Sequence, residues 1–307
     1  MSMIHIPVQI LSNASEFERY IHDCALSLRH QDGVGDKYQM TVNVAVYEPV
    51  SAGTADRLKA LAIEGFAVNL IELYRTCGYG EKQNLIWNNY TKKLAVPFEA
   101  FITMNPDMVL MPDVVDKLHT TFTTSRSRAN IVEARQFPIE NPPRAFDAAT
   151  LEVNWCSGAC ILLSAAFFER CKGFDEAIYL YCEDVDLSWR AWLDGGQCLY
   201  RYDAVVAHMT HGLFEARYNT HSVPTHESCM ALSHLILTWK YFSADEALLA
   251  SKMKLFWDNQ GFARHTKEAA FADFETIKPR IQRYTTAHPR IELLDLGLYS
   301  GMRPNLI

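Results

Sequence analysis

Two rhythms of hydrophobic and polar positions alternate along the first two-thirds of the chain. Short apolar runs bounded by turn residues, over residues 4–11, 42–47, 66–73 and 98–104, read as strands. Stretches of helical period lie between them, over residues 16–28, 53–63 and 81–94. In the first of these, Phe17, Tyr20, Ile21, Cys24 and Leu28 recur on one face, and Ser12-Asn13 supplies a turn and an amino-terminal cap. Strands alternating with helices predict an α/β fold, a mixed, mainly parallel sheet flanked by helices. Three prolines, Pro138, Pro142 and Pro143, interrupt residues 135–150, which are expected to form a long surface loop. Beyond Gly212 the strand pattern ends and helices are predicted over residues 229–242 and 244–262. The expected division is a catalytic domain over residues 1–212 and a helical extension over 213–307 packed on it.

Composition narrows the picture. Of 307 residues, 49% are hydrophobic and 21% charged, which excludes a mostly disordered chain. The net charge of -7, with no dense Lys/Arg tract, argues against a nucleic-acid partner, because phosphate binding needs clustered basic residues. Eight cysteines are scattered through apolar surroundings without a Cys-x-x-Cys pair, so they read as reduced core residues. Residues 1–11 lack the basic start and small-residue cleavage site of a signal peptide, and no stretch reaches the ~18 apolar residues of a membrane span. A cytoplasmic protein is expected, with at most peripheral contact with the inner face of a membrane; homo-oligomerisation is left open.

Four pieces carry candidate chemistry. In Phe101-Ile-Thr-Met-Asn-Pro-Asp-Met-Val-Leu-Met-Pro-Asp113 an apolar strand ends in Asn105 and Asp107, at the carboxyl end where ligands of open α/β sheets bind. A carboxylate there can hold Mg2+ or Mn2+ while the cation also takes diphosphate oxygens, although an Asx turn would explain the same residues. Gly158 interrupts the apolar run Trp155-Cys-Ser-Gly-Ala-Cys-Ile-Leu-Leu163, as expected where a ligand or another backbone approaches closely. Glu183, Asp184 and Asp186 crowd one predicted helix start; the helix dipole accounts for one or two acids there, and three exceed what capping requires. Finally, a short strand ends at His208 and His211, and histidines so placed can ligate a metal.

In their order, these pieces resemble the family 2 glycosyltransferases of the GT-A fold, especially the bacterial rhamnosyltransferase-like branch. Met104-Asn-Pro-Asp-Met-Val109 looks like the branch's L-N-P-D stretch, which stands in for an Asp-x-Asp metal motif. The family block SGA…L…F…GGFDE.FFLY.EDVDL..R is matched by Ser157-Gly-Ala159, Phe168, Gly173-Phe-Asp-Glu176, Tyr179-Leu-Tyr181 and Glu183-Asp-Val-Asp-Leu187 with Arg190. Cys77-Gly-Tyr-Gly80 with Asn84 is similar to the N-x-G-x-G-x-x-x-N turn that covers the donor, and His208 matches the histidine after the last strand. The resemblance spans residues 4–212. Two places depart from it. The V-T-Y-N end of the first strand is Ile10-Leu-Ser-Asn13, and the V-D-N-x-S-x-D end of the second is Val46-Tyr-Glu-Pro-Val-Ser51. The base-reading aspartate is thus Tyr47, suited to stack on a ring, followed by Glu48, suited to accept a base N–H.

What the resemblance implies is an inverting glycosyltransferase acting on a nucleoside-diphosphate sugar and a glycan or lipid-linked glycan acceptor. Asp184 would be the general base, and Asp107 and His208 would hold a divalent cation, Mn2+ or Mg2+, against the diphosphate. Ser12, Asn13, Tyr47, Glu48, Gly78, Asn84, Asn105, Gly158, Glu183, Asp186 and His211 would contact donor or acceptor. Two other readings remain. A nucleotide-sugar-forming nucleotidyltransferase would need a Gly-rich basic turn after the first strand, where the chain has Ser12-Asn13-Ala14-Ser15. A catalytically degenerate carbohydrate-binding protein is favoured by the altered second strand and disfavoured by the intact Asp107, Asp184 and His208.

Overall fold

A computed structural model describes residues 3–125, 129–138, 145–209 and 224–291. Eight strands form one sheet: β1 (Ile4–Ser12), β2 (Tyr38–Val46), β3 (Phe66–Glu72), β4 (Ala100–Met104), β5 (Met108–Leu110), β6 (Ala129–Phe137), β7 (Cys160–Ser164) and β8 (Gln197–His208), in the order β3-β2-β1-β4-β7-β6-β8-β5. The β1 to β4 strands run parallel. The direction reverses at β7, which is antiparallel to both β4 and β6, while β6 and β8 are again parallel. Helices cover both faces, so β1 and β2 are buried almost throughout; one face of each is apolar, and the other buries His5, Gln9, Thr41 and Asn43, which hydrogen-bond to one another or to Thr91. By contrast, β3 lies at the sheet edge and alternates buried and exposed positions.

Six helices pack against this sheet: α1 (Ala14–Arg29), α2 (Ala52–Lys59), α3 (Tyr79–Asn89), α4 (Val114–Thr124), α5 (Ala165–Arg170) and α6 (Glu183–Leu193). Asn13 starts α1 through a capping box: its side chain accepts from the Glu16 amide at 2.8 Å, and Glu16 reaches back to the Asn13 amide. The α1 face formed by Phe17, Ile21, Cys24, Ala25 and Leu28 then closes over the sheet. Three more helices follow: α7 (Pro224–Phe242), α8 (Glu246–Asp258) and α9 (Arg264–Ile277). They share an apolar cluster with α6, in which Val185 and Trp189 meet Ala231, Leu235, Tyr241, Phe256 and Phe274. None of the helices among the described residues is long and apolar enough to cross a membrane. The eight cysteines are free thiols.

Several elements differ from the sequence expectation. Residues 135–137, expected in a surface loop, complete β6, because Arg135, Gln136 and Phe137 find partners on β8 after a register shift. The apolar run around Gly158 becomes strand only from Cys160. A single helix expected over residues 244–262 is shorter, ending at Asp258, and α9 follows as a separate helix. His211 and residues 210–223 lie outside the described residues.

Candidate functional site

The carboxyl ends of β1, β2 and β4 share one edge of the sheet. Ser12 closes β1, and its hydroxyl donates to the Asn13 carbonyl at 3.0 Å. Directly after β2, Tyr47 presents a half-buried ring with the Lys82 ammonium 4.5 Å from its centroid. Glu48 is exposed but not idle, since it accepts from the Ala14 amide at 2.9 Å in the first turn of α1. Gly78 precedes α3 and lies against the backbone of Tyr179, where an added Cβ would come 2.6 Å from the carbonyl oxygen. Asn84 is spent on structure. Its side chain accepts from the Phe174 amide at 2.8 Å and donates to the Phe174 carbonyl at 2.9 Å, which ties α3 to the segment leading into α6.

At the end of β4, Asp107 and His208 come together. They are 5% and 6% exposed, and Asp107 Oδ2 stands 3.1 Å from His208 Nε2. The pairing follows from topology, because β5 begins one residue after Asp107 and aligns Met108 with His208 on β8. Gln136 completes the set: its Oε1 is 2.8 Å from His208 Nδ1, and its amide nitrogen donates to Ser157 Oγ at 3.1 Å. With Nδ1 donating to Gln136, the 3.1 Å contact is a hydrogen bond when Nε2 carries a proton, and an imidazole whose one proton sits on Nδ1 would let Nε2 and the carboxylate share a divalent cation. Among the described residues no group of three or more His, Cys, Asp or Glu side chains is arranged to hold a metal. Two protein ligands with substrate phosphate and water making up the remainder is a usual arrangement for a diphosphate-bound cation.

Negative charge converges on this edge. Burial, and after it the charge at Asp107, raises the Glu16 carboxyl above its ordinary value. The Tyr79 phenol is held well above its ordinary range by burial first, then by Glu183, with Asp184 and Glu16 adding to the effect. Glu16, Asp107, Glu183 and Asp184 therefore belong to one electrostatic neighbourhood, and those of its carboxyl groups that are ionised would repel a diphosphate unless a cation intervened.

The acids at the start of α6 divide their work. Asp184 is partly exposed, and its two oxygens accept from the Gly158 amide at 2.9 Å and the Val185 amide at 2.8 Å. Glu183 keeps a buried Oε2 without a hydrogen-bond partner, and burial, reinforced by Asp184, pushes its carboxyl up to about 8. Asp186, expected at a sugar, is 0% exposed and faces the opposite way. It accepts from Arg190 Nε at 2.8 Å and Tyr241 Oη at 2.7 Å, and Lys240 Nζ lies 2.7 Å from it. Burial alone would raise the Asp186 carboxyl, but the Arg190 and Lys240 charges outweigh it and hold the group below its ordinary value. The two residues before α6, Tyr181 and Cys182, both adopt left-handed backbone, with φ of 66° and 64°.

The turn at residues 157–159 joins these parts. Ser157 receives Gln136 behind His208, the Gly158 amide holds Asp184, and the Ala159 carbonyl accepts from the Asn105 amide at 2.9 Å. Gly158 leaves space as well as an amide, since an added Cβ would meet Asp184 Cβ at an ordinary 3.4 Å. Gln136 and Glu16 were not read as site residues from the sequence. Glu16 is visible there only as the third residue of a cap, and Gln136 lies in the stretch that the prolines disguise as a loop.

No protein-family profile matches the chain. WbbL, a rhamnosyltransferase of Escherichia coli K12, is 37% identical across 40% of this chain and 57% of its own length, so the chain spans somewhat over half of that relative. The N-acetylglucosaminyl-diphospho-decaprenol L-rhamnosyltransferase of Mycobacterium tuberculosis H37Rv is 41% identical across 56% of this chain and 71% of its own length. Among solved structures, the mannosyltransferase PcManGT of Pyrobaculum calidifontis, in complex with GDP-Man and Mn2+, superposes with a TM-score of 0.55 at 13% identity, over 94% of this chain and 78% of that one. That likeness shows the fold, and the mycobacterial relative shows the family. The chain belongs to the family 2 glycosyltransferases of the GT-A fold, in their bacterial rhamnosyltransferase-like branch.

Proposed function

We propose that the chain transfers a hexosyl unit, with inversion at the anomeric carbon, from a nucleoside-diphosphate sugar to an acceptor hydroxyl in the synthesis of a bacterial surface polysaccharide or cell-wall glycan. The observation that carries this reading is the 157–159 turn, which ties the Asp107–His208 pair and the Asp184 carboxylate to a common support. Inverting displacement needs a base on the acceptor hydroxyl and charge neutralisation at the leaving diphosphate, held in fixed relation.

Asp184 is the base in this reading. Its two backbone amide donors fix its direction, so that the carboxylate can be presented to the acceptor proton. Asp107 and His208 would hold Mn2+ or Mg2+, which supplies neutralisation of the departing diphosphate. Gln136 orients the imidazole for that task. Tyr47, backed by Lys82, offers a face for the nucleobase, with Ser12, Asn13 and Asn105 along the same strand ends. Glu183 borders the donor and acceptor sugars, whereas Asn84 and Asp186 act from behind as supports. A lipid-linked glycan, of the kind named for the mycobacterial relative, suits the acceptor role at the inner face of a membrane.

Melting curves with a panel of nucleoside-diphosphate sugars and Mn2+ test the donor class, because the right ligand raises the melting temperature by mass action. Nucleoside-diphosphate release by Asp184→Asn, with the selected donor and a lipid-linked acceptor, tests the base. The expected loss is at least ~10²-fold with nucleotide binding retained. Full activity in Asp184→Asn would remove the base assignment, and full activity in excess chelator would remove the metal.

A further inference from the structure

The helical extension grips the segment that carries Asp184. Three side chains on one face of α7, Ser233, Lys240 and Tyr241, reach residues 180, 175 and 186. Ser233 Oγ donates to the Leu180 carbonyl at 3.1 Å. Lys240 is 1% exposed and its ammonium bridges two carboxylates, Asp186 at 2.7 Å and Asp175 in a shorter contact. Tyr241 donates to Asp186 Oδ1 and to the Asp186 carbonyl, at 2.7 and 3.2 Å. Between Asp175 and Asp186 lie the left-handed pair Tyr181-Cys182 and the acids Glu183 and Asp184. Backbone held in sparsely populated conformations persists only where its surroundings over-determine it.

Neutralisation alone does not explain this lysine. Arg190 already pairs with Asp186 from its own helix and donates to the carbonyls of Cys171 and Gly173. Adding Lys240 and Asp175 makes a quartet of two cations and two anions, buried except for Asp175, which is 22% exposed, and burying such charges contributes little net stability over an apolar core. Its distinctive property is direction, because Lys240 ties α7 both to Asp186 on α6 and to Asp175 in the segment leading into that helix. We propose that Lys240 is a positioning residue for Asp184, acting through Asp186 and Asp175 to hold the strained start of α6 in place. The proposal rests on the reading of Asp184 as the base. It makes the extension a part of the catalytic assembly.

Hydrogen exchange on the full chain, compared among wild type, Lys240→Met and Tyr241→Phe, tests this without any ligand. In Lys240→Met, amides of residues 176–186 and of Gly158, which donates to Asp184, should lose about tenfold or more protection while β1 and β2 keep theirs. Nucleoside-diphosphate release, assayed with the donor selected by the melting panel, should show a lower kcat at unchanged KM. In the Asp184→Asn background the same substitution should cost no further activity, since the group being positioned is gone. Unchanged protection at residues 176–186 and Gly158, or a loss spread evenly over the whole sheet, would overturn the proposal. Should Lys240→Met fail to fold, Tyr241→Phe decides, because it removes one tie and keeps the ring; it must show the same local pattern at about threefold or the proposal fails. An active Asp184→Asn, by contrast, would sink the base assignment itself and leave the tether as a structural fact.

Discussion

Replacing Gly78 by alanine probes the contact that seats the acidic segment from its other side. The Gly78 backbone is compatible with any residue, with φ of -66°, so the obstacle is space alone. An added Cβ would lie 2.6 Å from the Tyr179 carbonyl oxygen and 2.8 Å from its Cα, about 0.8 Å short of the 3.4 Å at which ordinary contact begins. Both atoms are backbone, and the next amide, Tyr79 N, donates to that same oxygen at 2.8 Å, so neither side can swing away as a side chain would. Overpacking of this kind costs about 1–3 kcal/mol. At about 2.1 cal/mol/K of unfolding entropy per residue, a 307-residue chain should melt about 2–5 °C lower. Activity should fall further than stability. Displacing the segment by most of an ångström moves Asp184 with it, and a misplacement near 1 Å can cost ~10²-fold. Differential scanning fluorimetry and nucleoside-diphosphate release measure the two effects. Gly158→Ala meets only ordinary contact, and Gly53→Ala meets nothing within 4 Å in α2, so the first should be nearly neutral and the second stabilising by up to ~1 kcal/mol. If Gly78→Ala melts lower yet transfers at the wild-type rate, the 173–182 segment does not position Asp184 for the proposed reaction.

Other outcomes follow from the charges of the site. Glu183 has a folded-state carboxyl raised toward 8 from an ordinary 4.5, so between those values the native state holds more protons than the unfolded chain and stability falls as pH rises. The melting temperature of Glu183→Gln relative to wild type should therefore climb from about pH 5 to about pH 8.5, and a flat difference would count against a proton-holding Glu183. Gln136→Leu removes the partner of His208 Nδ1 and should weaken Mn2+ binding in the presence of nucleoside diphosphate by ~10–100-fold; calorimetric titration showing unchanged affinity would separate Gln136 from the metal.

The central strands were legible because one face of each is an unbroken apolar row, Ile6, Val8 and Ile10 on β1 and Met40, Val42 and Val44 on β2. The starts of α1 and α6 were legible because their signals, a capping residue and an acidic turn, are local. What escaped was short or set by distant partners. The three-residue β5 is too brief to show a period, yet its pairing with β8 brings Asp107 to His208. Gln136 stands just ahead of a proline-interrupted stretch, and only the strand beside it, some seventy residues on, keeps it extended. Asn84 illustrates the opposite difficulty. A motif named it as a donor contact, while its amide is spent on Phe174, because a buried asparagine bonds whatever backbone the fold brings near.

The acidic cluster shows why a motif read as one unit divides when folded. Successive residues of a helix turn by about 100°, so Asp184 and Asp186, two apart, point to nearly opposite sides. One side of α6 meets the 157–159 turn and the strand ends, where Asp184 keeps partial exposure. The other meets α7, where Asp186 has no water and must be matched by cations. The spacing of Arg190, four residues after Asp186, already announces one of those partners as a same-face pair. Lys240 could not be read in the same way, because nothing local marks a lysine that will be buried 54 residues away. One short string of acids thus produces a partly exposed carboxylate, the proposed base, and a buried one that anchors the helix bearing it; the anchoring one, already paired with Arg190, takes a second cation from α7, which ties that helix in place.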